Sequence, residues 1–79
     1  MSRILRIPGT KALSGKSRST IYSEIKTGLW PKPVKLGPRS IGWPETEIEA
    51  LNKARIAGKT DEEIRRLVLN LEIARKSAT

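Results

Sequence analysis

Seventy-nine residues, nine of them Ile and eight Leu, allow one small domain with a short appendage, because a chain this size buries only about 60% of the surface it exposes when unfolded. With no cysteine and no histidine there is no disulfide framework, no thiolate or imidazole metal ligand and no imidazole acid or base, and no apolar run reaches the ~18–20 residues of a membrane span. Sixteen basic against eight acidic residues give +8, all of it in residues 1–44, while residues 45–79 balance to zero, a one-sided field that suits a polyanion.

Residues 1–6 form a lead-in whose Ile4 and Leu5 make either a small strand or an unattached tail. Pro8 suits the first turn of a helix, where a missing N–H costs nothing. A short helix is expected over Pro8–Ser14, ended by Gly15, with Ala12 and Leu13 facing inward. Gly9 weakens it, since glycine disfavours helix by about 1 kcal/mol relative to alanine. Ser17 is a good N-cap for a second helix over Arg18–Thr27, and Gly28 fits its C-terminal stop. Ile21 and Ile25 lie four apart on one face, and Leu29 extends that stripe. Arg18, Tyr22 and Lys26 share a different face, with Ser19 and Ser23 beside them. A helix of about ten residues is marginal alone and must be held by packing. Two short helices joined by Gly15-Lys16-Ser17 have helix-turn-helix spacing, which any helical hairpin also shows. The basic surplus in the same residues favours DNA.

Trp30-Pro31-Lys32-Pro33 is extended, because each proline pushes its predecessor away from helix. Val34-Lys35-Leu36 and Ser40-Ile41-Gly42-Trp43 alternate around the turn chemistry of Gly37-Pro38-Arg39. This reads as a small β-hairpin with Lys35 and Arg39 on or near its tip. Pro44 opens a third helix, and Glu45 and Glu47 favour its positive end. Ile48, Leu51 and Ala54 or Arg55 continue its stripe until Gly58. Glu45, Glu47 and Glu49 alternate there as dipole partners rather than metal ligands. Thr60-Asp61-Glu62-Glu63 is a capping box for a fourth helix, from Asp61 to about Lys76. Ile64, Leu67, Val68 and Leu71 form its apolar stripe; Leu69 and Ile73 fall off it. The expected fold is mainly α with a small β-hairpin: a winged helix-turn-helix plus a C-terminal helix. Residues 1–58 form the DNA-binding domain and 59–79 a docking or assembly helix.

The run from Ile7 to Leu51 resembles the AlpA-type regulators of phages and other mobile elements. It is similar to the excisionases, or recombination directionality factors, that share their MerR-like winged helix. Three pieces carry the resemblance: Ser17-Arg18-Ser19-Thr20-Ile21-Tyr22, then Pro31-Lys32-Pro33-Val34-Lys35-Leu36-Gly37, then the Trp43 before an acidic helix start. Their order and spacing match over about residues 3–57. Gly9-Thr10 departs from the family, where an acidic or amide residue commonly follows the proline; this loosens the first helix and touches no binding residue. The resemblance implies a small sequence-specific protein of double-stranded DNA, without catalytic chemistry, cofactor or metal. Its second helix would enter the major groove and its wing reach backbone or minor groove. Some family members activate an integrase or excision gene. Others bind repeated sites near an attachment site, bend the DNA and steer an integrase toward excision.

The residues suit that work. The major groove is about 12 Å wide and admits one helix. Candidate DNA-binding residues are Lys16, Ser17, Arg18, Ser19, Thr20, Tyr22, Ser23 and Lys26 on the turn and second helix, with Lys32, Lys35 and Arg39 around the wing. Arg18 and Lys26 can reach phosphates or a guanine edge. Ser19, Thr20 and Ser23 are short donors that tolerate close approach. Tyr22 either packs on sugar or donates to phosphate, or forms a half-buried core edge. Ser17 serves first as the cap. Trp30 and Trp43 fit core packing better than base stacking, and Lys53, Arg55, Arg65 and Arg66 fit a solvated or acid-paired face. Leu69 and Ile73 are candidate assembly residues, covered by a second copy on adjacent DNA or by an integrase, unless both stripes are buried within one chain. The competing function is a protein-interaction module acting through its last helix, with only non-specific nucleic-acid binding. RNA is weaker still, for want of an aromatic platform. No signal-peptide core follows Met1, so a cytoplasmic, nucleoid-associated protein with no membrane partner is expected.

Overall fold

A computed structural model describes residues 3–77. In chain order these form β1 (Ile4–Leu5), α1 (Ile7–Ser14), α2 (Arg18–Thr27), β2 (Val34–Gly37), β3 (Ser40–Pro44), α3 (Glu45–Ile56) and α4 (Asp61–Ser77). That is a winged helix-turn-helix with a C-terminal helix, mainly α with a small sheet.

Local chemistry sets the helix ends. The Ser17 hydroxyl accepts from the Thr20 N–H at 3.2 Å and so caps α2. Gly15 and Gly28, at φ of +71° and +83°, close α1 and α2 in a conformation that strains any side chain. Thr60 and Glu63 form the reciprocal box: the Glu63 N–H donates to Thr60 Oγ1 at 3.2 Å, and the Thr60 N–H to Glu63 Oε1 at 2.9 Å. The Thr60 N–H, chiefly, holds the Glu63 carboxyl below its ordinary range.

The lead-in is a strand. Leu5 pairs with Trp43 and Ile4 with Pro44, antiparallel, which makes the hairpin a three-stranded sheet with β3 in the centre. Arg3 fastens its start: its carbonyl accepts from the Glu45 N–H at 2.7 Å, and its guanidinium donates to the Glu45 carboxylate at 2.6 Å. That hydrogen bond lowers the Glu45 pKa. Gly42 lies where β1 crosses β3. A Cβ there would stand 2.7 Å from the Leu5 carbonyl oxygen and 2.9 Å from an Ile4 methyl. Gly42→Ala should therefore lower stability in a urea titration by about 1–3 kcal/mol, the usual penalty of overpacking. Gly37→Ala, which meets open space, should stay close to the parent. Equal midpoints for the two variants would refute this account of Gly42.

One core draws on every layer: Ile21 from α2, Trp30 from the linker, Trp43 from β3, Ile48 and Leu51 from α3, and Ile64 and Val68 from α4. The two tryptophans meet edge to face, centroids 6.5 Å apart, a geometry that aromatic quadrupoles favour. The Trp43 Nε1–H donates to the Pro31 carbonyl at 2.8 Å.

α1 corrects the expectation from its composition. Ala12 and Leu13 are exposed, and the inward residue is Thr10. Because β1 pairs with β3, α1 folds back over Leu5, and the Thr10 hydroxyl donates to the Leu5 carbonyl at 3.1 Å. A buried hydroxyl with its hydrogen bond made is tolerated where an unpaired one would not be. The Gly9-Thr10 step also fits here: a Cβ on Gly9 would press on Leu5 at 3.4 Å.

α4 packs Ile64 and Val68 into the core and leaves Leu69 and Ile73 more than half exposed. Its far end is fixed by Arg75, which donates to both oxygens of the buried Glu47, Nε to Oε2 at 2.8 Å and Nη2 to Oε1 at 2.6 Å. Glu47 is thus an ion-pair partner as well as a first-turn acid of α3. Arg65 is exposed, in keeping with the solvated face expected of it, and its Nε also donates to the Thr27 carbonyl at 2.8 Å, at the end of α2. Arg55 is acid-paired, 3.4 Å from Asp61. Among the described residues no helix is long and apolar enough to cross a membrane.

Candidate nucleic-acid interface

α2 is anchored along one side and open along the other. Ile21 fixes it in the core. At its start the Lys16 ammonium lies 3.1 Å from Glu24 Oε1 and donates to Oε2 at 3.2 Å, while resting 5.9 Å from the centroid of the Trp30 ring. Arg55 of α3 approaches the same carboxylate at 3.8 Å. The acid of α2 is thereby neutralised from behind. The outward surface keeps Arg18, Ser19, Ser23 and Lys26 exposed and Tyr22 half-buried. The Arg18 guanidinium sits 5.6 Å from the Tyr22 ring centroid, a cation–π distance that steadies both side chains.

An open groove runs between α2 and the wing. Arg18 and Tyr22 line it from α2; Lys35, Arg39, Ser40 and Ile41 line it from the wing; Ile4, Leu5, Arg6 and the first turn of α1 complete the lining. Four lining residues are basic, namely Arg6, Arg18, Lys35 and Arg39, and none is acidic. Among the described residues none of the four pairs with a carboxylate, whereas Arg3, Lys16, Arg55, Lys59 and Arg75 all do. Cations left unneutralised along one concave face focus a positive potential there.

The residues singled out in the sequence divide into groups. Arg18, Tyr22, Lys35 and Arg39 come together in the groove. Ser19, Thr20, Ser23 and Lys26 are exposed on α2 but do not line it. Ser17 is occupied by the cap, and its hydroxyl also donates to Thr20 Oγ1 at 2.9 Å. Lys16 is turned inward to Glu24. Lys32 lies beside α4, with Val34, Leu69 and Ile73, and its N–H donates to Glu72 at 2.8 Å. Arg6 and Ser40 belong to the groove and escape the sequence reading. Their nearness, a 3.2 Å hydrogen bond across 34 positions, depends on β1 pairing with β3. The only local signal was a basic residue two places before Pro8 in the cationic half.

A family model described as "Prophage CP4-57 regulatory protein (AlpA)" matches residues 3–56, from the approach to β1 through the end of α3. The chain belongs to the AlpA family. Among its relatives, the "Uncharacterized protein ORF88" of Enterobacteria phage P4 is 44% identical over 57 residues, 72% of this chain and 65% of the relative. The "DNA-binding transcriptional activator AlpA" of Escherichia coli K12 is 38% identical over 53 residues, 60% of this chain and 76% of that protein. The chain therefore spans about two thirds (65%) of the length of the phage relative. No solved structure matches it. The family region contains the whole groove, and α4 lies outside it.

Proposed function

We propose that this AlpA-family chain is a sequence-specific duplex-DNA-binding regulator of a mobile element, acting without catalysis. α2 enters the major groove, and the wing lies on backbone or minor groove. The observation that carries this reading is the acid-free groove between α2 and the wing, lined by four cations with no carboxylate partner. Arg18, with Lys26 beyond the groove, supplies base-edge or phosphate contacts; Ser19 and Ser23 allow close approach; Lys35 and Arg39 position the wing. The likeness to a DNA-binding transcriptional activator of E. coli supports transcriptional control. The excisionase role would place the same surface on attachment-site repeats. In this reading the exposed Leu69 and Ile73 meet a second copy on the neighbouring site, and the protein works in the cytoplasm on the nucleoid.

Footprinting on DNA flanking its own gene and the nearest integrase attachment site tests the proposal. Protection at a promoter indicates regulation, and protection at the attachment site indicates excision. Arg18→Ala should weaken the protected site by about 1–3 kcal/mol if it reads a base edge. Replacing both Lys35 and Arg39 should reduce the slope of log affinity against log salt by roughly 1.8, about 0.9 for each phosphate contact. Leu69→Ser with Ile73→Ser should abolish cooperative filling of adjacent sites and spare single-site affinity. No protection anywhere, with all variants indistinguishable from the parent, would refute the reading.

A further inference from the structure

We infer that Arg6 and Ser40 form a seat for one DNA backbone phosphate within the groove, an inference that rests on the groove being the DNA face. Arg6 leaves β1 just before α1 begins, and Ser40 opens β3 just past the tip of the wing. The two are joined by the 3.2 Å bond from Arg6 Nη2 to Ser40 Oγ.

This is the one side-chain hydrogen bond of Arg6 among the described residues. A guanidinium carries five N–H donors in a planar fork. Four of them remain unengaged, and no carboxylate among the described residues pairs with the group. Ser40 accepts that bond through a lone pair, so its own O–H stays available to donate. The pair therefore offers two kinds of donor, one cationic and one neutral, from two different elements. A tetrahedral anion with several acceptor oxygens satisfies both at once. A base edge offers no negative charge, and an acidic side chain offers fewer oxygens.

The neighbours fit the same ligand. Arg18 faces the groove from α2 and Arg39 from the wing tip, both without acidic partners. Four cations around one concave strip mutually repel. A bound polyanion relieves that repulsion, whereas an internal fold would have answered it with carboxylates, as it does at Lys16 and Arg75. Ser40 also gives the Arg6 side chain a defined direction, so less rotamer freedom is lost on binding. Arg6 thus has a binding role, and Ser40 both a binding and a positioning role.

The test is fluorescence anisotropy of the full chain on a labelled mixed-sequence duplex across a range of salt concentrations, with thermal melting of every variant. Arg6→Ala should weaken binding on the order of tenfold and lower the salt slope by about 0.9, because one phosphate contact is lost. Arg6→Lys, which keeps the charge, should hold the slope near that of the parent. Ser40→Ala should weaken binding less, and should cost less still once Arg6 is alanine, because only its own O–H contact then remains to be lost. All three should melt with the parent. Unchanged affinity and slope for Arg6→Ala, beside a parent that binds, overturns the seat alone. A fall in melting temperature shared by Arg6→Ala and Arg6→Lys overturns it too, because the contact would then be structural. A parent that fails to bind the duplex at low salt overturns the DNA-binding reading itself.

Discussion

Arg75→Ala should cost the fold about 2–4 kcal/mol, a large share of the ~5–15 kcal/mol that a small domain has in total. The partner, Glu47, is only 5% exposed and sits beside the core residue Ile48. Removing the guanidinium takes away two hydrogen bonds and leaves a buried carboxylate with no counter-charge. The loss of an isolated surface pair would be under about 1 kcal/mol, so burial decides the size. Arg75 itself is partly open to water, which puts the figure below the ~3–5 kcal/mol of a fully buried pair. Adding Glu47→Leu to Arg75→Ala should recover most of the loss, because the apolar side chain needs no partner. Urea titration followed by tryptophan fluorescence reads both variants. A single-variant loss below 1 kcal/mol would mean that solvent reaches Glu47 and screens it.

The second large effect concerns α4. A chain ending at Gly58 should lose its cooperative thermal transition. It would forfeit the burial of Ile64 and Val68, about 1.5–3 kcal/mol each, and would leave incomplete the core cluster they share with Ile21, Trp30 and Leu51. It would also lose the Arg65 bond to the Thr27 carbonyl and the partner of Glu47. Circular dichroism with temperature decides the matter. A sharp, reversible melt of the shortened chain would show that residues before Gly58 suffice as a domain, and would leave α4 as an accessory.

The helices and the wing were legible because their signals are local. Ser17, Gly28 and the Thr60–Glu63 box each act within four residues, and each closes the hydrogen bonds its residue type promises. The hairpin followed from Gly37-Pro38-Arg39 and its alternating flanks. What stayed hidden depends on distant pairing. Whether Ile4 and Leu5 were strand or tail turned on Trp43 and Pro44, which no periodicity in the lead-in encodes. The same pairing set the face of α1, so Thr10 went inward and Leu13 outward. The site divides likewise. Arg18 and Tyr22 share a helix face that spacing reveals, and Lys35 and Arg39 flank a turn. Arg6 enters the groove only through the sheet, and Lys16 is withdrawn from it by Glu24, an acid eight residues along.

The pairing of β1 with β3 also has a consequence during translation. Ribosomes add about 5–20 residues per second, so Ile4 and Leu5 leave the tunnel seconds before Trp43 and Pro44 do. The whole of α1, α2 and β2 must be made in between. Ile64 and Val68 follow later, and Arg75 later still, so Glu47 spends part of synthesis as an uncompensated charge. The nascent chain can form its helical turns early, but its core lacks Ile64 and Val68 until α4 emerges. The fold therefore closes only once α4 has been made, and a ribosome stalled before Ile64 holds a chain that cannot complete its core.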